Sequence, residues 1–532
     1  MIVLRSIFCK LNHGFFLKKA LKCVIITQYG LKSRFRLGEY MSRHLRNEKK
    51  SKSTSKTWLG INSAFLFLYT VLAGFFIFKM YSHHFLAFRN VNHILTAILI
   101  AIFVFALILL LRKKAKIFTT IFLLLFTLVS AAGLYFVQST VQVAEKLNQT
   151  ASYSEIEMSV VVPVESTIQD ISEVGQLQAP TNNDAENIQA LLSDLKTQKN
   201  FAVVPETVES YQKAYENLLS GSTQAMVLNS AYSSLLELSD ADYASKIRTL
   251  YTYKITKEVK SDASNAQKQN TNPNVVNIYI SGIDTYGSIS TVSRSDVNII
   301  MTVNMDTHKV LLTTTPRDAY VQIPDGGTDQ YDKLTHAGIY GVETSMKTLE
   351  NLYDVDINYY ARINFTSFMQ LIDVLGGVEV TNDQAFVSKI GNYEFPQGKI
   401  TLNSAQALGF VRERYSLQGG DADRGRNQQK VIAAIINKLA SVNSITNFSN
   451  IINSLQTSIQ TNMPLDTMMQ LANTQLSSGS SFVVTSQDVT GTGSTGQLPS
   501  YAMPSAALYM MSLDETSVET AKQAIKNTME GN

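Results

Sequence analysis

Cysteine is nearly absent from this 532-residue chain: there are two, Cys9 and Cys23, both ahead of the first long apolar run. No disulfide and no cysteine zinc site can therefore form in the rest of the protein. Net charge is also scarce. Forty-six Lys and Arg against 43 Asp and Glu leave +3, too little for a nucleic-acid partner. Ionisable residues are missing from the centres of three apolar runs, Trp58 to Phe78, Ile94 to Leu111 and Ile117 to Val137. Each is about long enough to cross a ~30 Å hydrocarbon core.

The length allows two or three domains beyond these runs. Residues 1–57 are basic and largely aperiodic, and read as a cytoplasmic tail, with Met41 as the expected start. The RKKAK turn (Arg112 to Lys116) joins the second and third runs into a hairpin. By the positive-inside rule it and the tail are cytoplasmic, so everything after about Gln138 is expected outside.

Residues 138–258 read as a small accessory α/β domain. Met158 to Val164, Phe201 to Pro205 and Ala225 to Asn229 look like strands; Asn187 to Leu195 and the stretch from Tyr211 to Leu219 look helical. No catalytic constellation appears there, which suggests a partner-binding role. Residues 259–274, polar and aperiodic, read as a linker. Residues 275–532 are expected to form an α/β domain with a mixed sheet and helices on both faces. Its strands are Val275 to Ile280, Asn298 to Val303 and Lys309 to Thr314. Its helices are Val342 to Asp354, Thr366 to Gly377 with Thr366 as N-cap, and one through Val431 to Leu439. A Gly/Ser loop is expected over Ser477 to Gly496.

Four polar clusters in this last domain exceed what packing needs: SGIDTYG (Ser281 to Gly287), SRSD (Ser293 to Asp296), TTPRDAY (Thr314 to Tyr320) and FVRERYS…GGDADRGRNQQ (Phe410 to Gln429). They bring Asp284, Asp296, Arg294, Arg317, Arg412, Arg414 and Arg424 into one region. Converging guanidiniums repel unless a polyanion or carboxylates lie between them, and arginine forks grip phosphate bidentately. Period-two alternation puts Arg412 and Arg414 on one face if Phe410 to Tyr415 is extended, and Arg294 beside Asp296. Solvated pairs such as Arg412 with Glu413, or Asp423 with Arg424, are the ordinary alternative. Asp284 follows a strand end, where α/β folds place chemistry. Lys333 is a candidate substrate contact, Gln428 a candidate phosphate contact and His336 a structural histidine. Gly282 and Gly287 are a weak phosphate-loop signal.

With SGIDTYG, VSRSDVNIIMTVN, TTTPRDAYV, DKLTHAGIYG, LIDVLGGVEV and LGFVRERYS…DADRGRNQQKVI, the chain resembles the LytR-CpsA-Psr family from about Met41 to the end. It is most similar to the streptococcal capsule-protein CpsA branch. The resemblance implies a membrane-anchored phosphotransferase that moves a capsular glycopolymer from a polyprenyl-pyrophosphate carrier to peptidoglycan. It implies Mg²⁺ on Asp284 and Asp296, and a pyrophosphate held by Arg294, Arg317, Arg412, Arg414, Arg424 and Gln428, with Lys333 nearby. Asp284 would assist deprotonation of the acceptor. An apolar cavity for the polyprenyl chain is implied too, its lining indistinguishable from core in the sequence. One departure from the family pattern is Asn427, where many members have arginine; Arg426 would face elsewhere. A Gram-positive cell surface suits an exported region without disulfides. Partners would be the lipid-linked polysaccharide, peptidoglycan, the membrane and other capsule-assembly proteins, with no direct nucleic acid. Two alternatives are a polyprenyl-pyrophosphate pyrophosphatase and a non-catalytic regulator of capsule assembly or transcription.

Overall fold

The computed structural model describes residues 36–112, 115–151, 153–258, 272–285, 289–440 and 459–532. The start of the basic tail, most of the expected linker and Gly287 lie outside them.

Three apolar helices come first: α1 (Arg36–Ser82), α2 (Val91–Leu111) and α3 (Lys116–Ala151). The stretches Lys56–Ser82, Phe88–Leu111 (α2 with the turn before it) and Lys116–Lys146 are long and apolar enough to cross a membrane. Tyr69, Phe76 and Met80 of α1 pack against Leu99, Ala106 and Leu123. Gly133 permits this: a Cβ there would stand 2.9 Å from the Phe76 ring. The outward faces stay apolar, as Phe67 (73% exposed) and Leu111 (67%) show. The third helix does not stop at Val137. No Gly or Pro follows Val137 within it, and Val137, Val141 and Ala144 keep its buried stripe, so it runs to Ala151.

The accessory region contains β1 (Tyr153–Pro163), β2 (Leu177–Ala179), α4 (Ala185–Lys199), β3 (Glu206–Thr207), α5 (Tyr211–Leu219), β4 (Ala225–Asn229), α6 (Ser233–Ser239), α7 (Tyr243–Lys246) and β5 (Ile247–Glu258). They build one sheet in the order β3-β2-β4-β1-β5. The expected strand over Phe201 to Pro205 is not formed. It is an irregular stretch with Val204 91% exposed, so its apolar composition is not backed by burial. The long β5, not expected, pairs with β1 from Tyr153↔Glu258 to Pro163↔Ile247.

The last region opens with β6 (Val275–Ile283), β7 (Ser295–Asn304), β8 (Lys309–Thr314), β9 (Tyr320–Ile323), β10 (Gln330–Lys333), α8 (Leu334–Ala337), α9 (Val342–Tyr353), β11 (Tyr359–Ile363) and α10 (Phe365–Val374). It continues with β12 (Val378–Asn382), β13 (Phe386–Val387), β14 (Glu394–Phe395), β15 (Gly398–Leu402), α11 (Ser404–Arg412) and α12 (Asp421–Leu439). It closes with β16 (Ile459–Thr461), α13 (Leu465–Ser478), β17 (Val483–Asp488), β18 (Gly491–Thr495), β19 (Tyr509–Leu513) and α14 (Glu515–Glu530). The main sheet runs β16-β11-β6-β7-β8-β17. It is mixed: β6 pairs parallel with β11 and antiparallel with β7. Leu349 and Tyr353 of α9 with Ile525 of α14 cover one face. Ile432 and Ile436 of α12 with Met468 of α13 cover the other. The fold is α/β.

Two details differ from the sequence reading. Helix α10 is capped by Asn364, whose side chain accepts from Ser367 N, rather than by Thr366; its Gly376–Gly377 stop is as read, with φ of 69° and 85°. The Gly/Ser stretch is largely two strands, because β17 adds to the sheet edge beside β8. The α1–α2 loop docks on α13, where Asn473 Nδ2 donates to His84 O at 2.7 Å. The folded regions and that loop thus share one side of the anchor.

Candidate active site

The site forms where β6 and β7 part. Gly282 lets the strands approach closely: a Cβ would lie 2.7 Å from Val297 Cγ2. The register shifts at Gly282/Ile283, and the chain leaves the sheet at Asp284. Asp296 is the second residue of β7, so both carboxylates sit at one end of adjacent strands.

Asp296 is held tightly. Its Oδ2 lies 2.7 Å from Arg317 Nη1 and its Oδ1 accepts from Thr335 Oγ1 at 2.9 Å. Burial opposes its charge, but Arg317, Arg294 and Arg424 outweigh burial and hold the carboxyl below the usual range. Asp284 behaves oppositely. Burial, then the neighbouring Asp296 charge, push its carboxyl up against the pull of Arg412, Arg294 and Arg317. Its Oδ1 is 3.6 Å from Arg412 Nη2.

The RER segment is not a strand. Asn403 and Gln406 form a capping box that starts α11, and the helix runs on to Arg412. Arg412 and Arg414 therefore do not share a strand face; they meet the cavity from a helix end and the loop after it. The Arg412 guanidinium lies 4.0 Å from the Phe365 ring centroid, and that of Arg414 lies 4.6 Å from the Tyr415 ring centroid. Glu413 is not an ion-pair partner for Arg412. Its buried carboxylate accepts from the backbone amides of Lys389, Arg414, Tyr415 and Ser416, at 2.5 to 3.0 Å. These amides overcome the cost of burial and lower its pKa. Glu413 thus shapes the turn that presents Arg414, a role invisible without the turn.

From α12, Arg424 and Gln428 reach the same cavity one turn apart. Arg424 Nη2 lies 2.8 Å from Asp421 Oδ1, and Gln428 donates to Val411 O at 3.2 Å. Arg426 turns away to Asp423 and Asp488, and Asn427 is buried outside the cavity lining.

Two candidates stand back from the cavity. Lys333 is buried, with Nζ 2.5 Å from Asp318 Oδ1, because β10 ends behind the Arg317 turn. Arg294 is also buried and is not part of the lining. The strip before β7 is pressed against Gly338, just after α8, where a Cβ would be 2.6 Å from Ser293 O. His336 is fully buried with Nδ1 2.9 Å from Asp332 Oδ1, a structural histidine.

The cavity has a volume of about 340 Å³. Its charged lining is Arg317, Arg412, Arg414 and Arg424 against Asp284 and Asp296. Its apolar lining includes Phe365, Phe368, Leu408 and Val411, which local pattern could not separate from core. The Nε atoms of Arg294, Arg317 and Arg424 are buried without a hydrogen-bond partner among the described residues. Buried guanidinium donors left unmatched are costly, and for Arg317 and Arg424, which line the cavity, a bound anion would offset that cost.

The fold and this site define an α/β protein with an arginine-lined cavity, carried on three apolar helices. A family model described as LytR_cpsA_psr matches residues 244–527, more than half the chain, and the chain belongs to that family. A second model, described as DNA polymerase processivity factor, matches residues 113–228, a smaller part that includes the whole of α3. The polyisoprenyl-teichoic acid–peptidoglycan teichoic acid transferase TagU of Oceanobacillus iheyensis is 34% identical over 276 residues, covering 51% of this chain and 78% of that protein. TagU of Enterococcus faecalis is 34% identical over 278 residues, covering 52% and 86%. Among solved structures, Bacillus subtilis TagV is 24% identical, with a TM-score of 0.42 over 49% of this chain and 98% of that one.

Proposed function

We propose that this chain is a glycopolymer phosphotransferase moving a capsular polysaccharide from a polyprenyl-pyrophosphate carrier onto peptidoglycan. The observation that carries this is the set of buried, unmatched arginine donors beside two carboxylates and apolar walls. A lipid pyrophosphate presents both matching chemistries. The relatives, named as transferases of polyisoprenyl-linked teichoic acid to peptidoglycan, support the reaction class; the capsular cargo extends the CpsA resemblance.

In this reading Arg317, Arg412, Arg414, Arg424 and Gln428 grip the pyrophosphate, and Arg294 acts from behind by holding Asp296 ionised. Lys333 orients Asp318 beside Arg317. The peptidoglycan hydroxyl attacks the sugar-bearing phosphorus and the bridging P–O bond breaks. Polyprenyl phosphate leaves, and the arginines neutralise the charge growing on its oxygen. Asp284, the carboxyl with raised proton affinity, accepts the hydroxyl proton. Two carboxylates suit Mg²⁺, which keeps waters and takes substrate oxygens instead of a full protein cage. Asp284 and Asp296 would hold it, and it would supply further charge neutralisation.

The anchor agrees with the topology. Arg112 and Lys116 lie at the end of the anchor away from the folded regions, and by the positive-inside rule this supports an outside location for those regions, beside lipid carriers. The test incubates the protein with a short-chain polyprenyl-pyrophosphoryl sugar, peptidoglycan fragments and Mg²⁺, and reads product masses. A sugar-phosphate-peptidoglycan adduct that disappears with EDTA is expected. Polyprenyl phosphate without adduct would point to a pyrophosphatase. Intact polymer attachment in cells after alanine replacement of both Asp284 and Asp296 would sink the catalytic reading in favour of a regulator.

A further inference from the structure

The accessory sheet contains a second polar cavity, of about 240 Å³, sharing no lining residue with the first. Its position follows from topology. Strands β3, β2 and β4 are parallel and lie in that order. The chain leaves β2 towards β3 through α4, but leaves β4 the other way, towards β5. Such a reversal opens a crevice at the carboxyl ends of neighbouring strands, where α/β sheets bind ligands. The cavity is there: Asn183, Asp184 and Asn187 come from the β2–α4 side, and Asn229 and Tyr232 from the end of β4. Ile339 and Tyr340 of the main domain close it.

The lining chemistry narrows the occupant. An anion is disfavoured, because the Asp184 carboxylate already occupies the N-terminus of α4, where a phosphate would sit. A metal ion is disfavoured as well. Both Asp184 oxygens are taken, by Asn187 Nδ2 at 2.6 Å, Tyr211 OH at 2.6 Å and Asn229 Nδ2 at 2.8 Å, and no cluster of three or more metal-ligating side chains occurs among the described residues. Lys257 is matched by Glu186 at 2.6 Å. What stays open is neutral. Asn187 is 8% exposed, and its Oδ1 is buried without a hydrogen-bond partner among the described residues; an unfilled acceptor in a cavity wall asks for a hydroxyl or amide donor. Ile156, Val292, Ile339 and the two tyrosines supply apolar surface beside these amides. The volume lies below the roughly 300–1,000 Å³ of pockets for drug-sized ligands, which suits one ring.

We propose that this crevice between the accessory sheet and the main domain is a saccharide-binding subsite that takes a single neutral sugar ring, which donates a hydrogen bond to Asn187 Oδ1. It lies outside the catalytic cavity and stands whether or not the transferase reading does.

The test uses the full chain in detergent micelles. Glucose, galactose and N-acetylglucosamine at millimolar concentration are the probes, with inorganic phosphate as control, read by hydrogen–deuterium exchange and calorimetry. Saturable slowing of exchange over residues 183–188 and 338–341 by at least one sugar is expected. Asn187→Leu should weaken it about tenfold, the worth of one buried hydrogen bond, and Ser154→Phe should abolish it by filling the cavity; Arg414→Ala should leave it unchanged. Should Asn187→Leu fail to fold, the Ser154→Phe result stands alone. No protection by any of the three sugars overturns the proposal. So does protection that survives in Ser154→Phe, or protection by phosphate alone.

Discussion

The main sheet and the accessory sheet each end in a crevice, but the two are lined in opposite ways. The main crevice gathers four arginines against two aspartates and leaves buried donors unmatched. In the accessory crevice the carboxylate of Asp184 is saturated by three neutral donors. Converging guanidiniums in excess of carboxylates repel one another, whereas a carboxylate saturated by neutral donors leaves only neutral groups open. The two are also joined: Glu155 of β1 bridges to Thr291, and Arg362 holds the same loop through Ile289 O at 2.9 Å and Thr291 O at 2.7 Å.

Replacing cations in the charged crevice should have the largest effect. Arg414→Ala and Arg317→Ala are each expected to lose about 2–4 kcal/mol of transition-state stabilisation, seen as a fall in single-turnover rate; wild-type turnover would remove the residue from the mechanism. Next is the joint. Arg362 is wholly buried, and burial lowers its pKa to about 10. Arg362→Met leaves two buried carbonyls without their donor and should cost about 2–4 kcal/mol. An unshifted urea midpoint would show that the loop does not depend on it. In the neutral crevice, Asp184→Asn turns one acceptor oxygen into a donor, and about 1–3 kcal/mol of stability should be lost; a denaturation curve matching wild type would contradict the saturation argument.

The smallest shift is the most discriminating. Asp284 has a folded pKa raised above its unfolded value, so the folded state binds its proton more tightly and stability declines as pH rises through that range. Asp284→Asn should therefore abolish turnover yet raise the melting temperature slightly at pH 7. That gain should vanish below about pH 4, where the wild-type carboxyl is protonated. A lower melting temperature at pH 7 would mean that its arginine neighbours outweigh burial.

Much of this was legible in one dimension. Strands β6 to β8, helix α9 and the apolar spans follow from local period and length. Asp284 is placed because a strand end and a glycine mark where an α/β sheet opens. Arg412 and Arg414 were rightly grouped, but on a strand that does not exist; the Asn403–Gln406 capping box was the signal for the helix. Lys333 and Arg294 are expected from sequence as substrate contacts, but the packing of β10 and α8 sets both behind the cavity lining. The edge strand β17 was hidden because its exposed VVTSQD carries no buried alternation.

Composition and periodicity were sufficient for the membrane-spanning runs, the α/β class and the inventory of charged groups. These depend on residue type and on neighbours within a few positions. Which arginines face the cavity, that Glu413 caps a turn, that the Asp284 carboxyl is shifted up and the Asp296 carboxyl down, and that a second crevice opens between β2 and β4 were decided by the tertiary structure. Each depends on burial and on partners far away in the chain, and no local period encodes those.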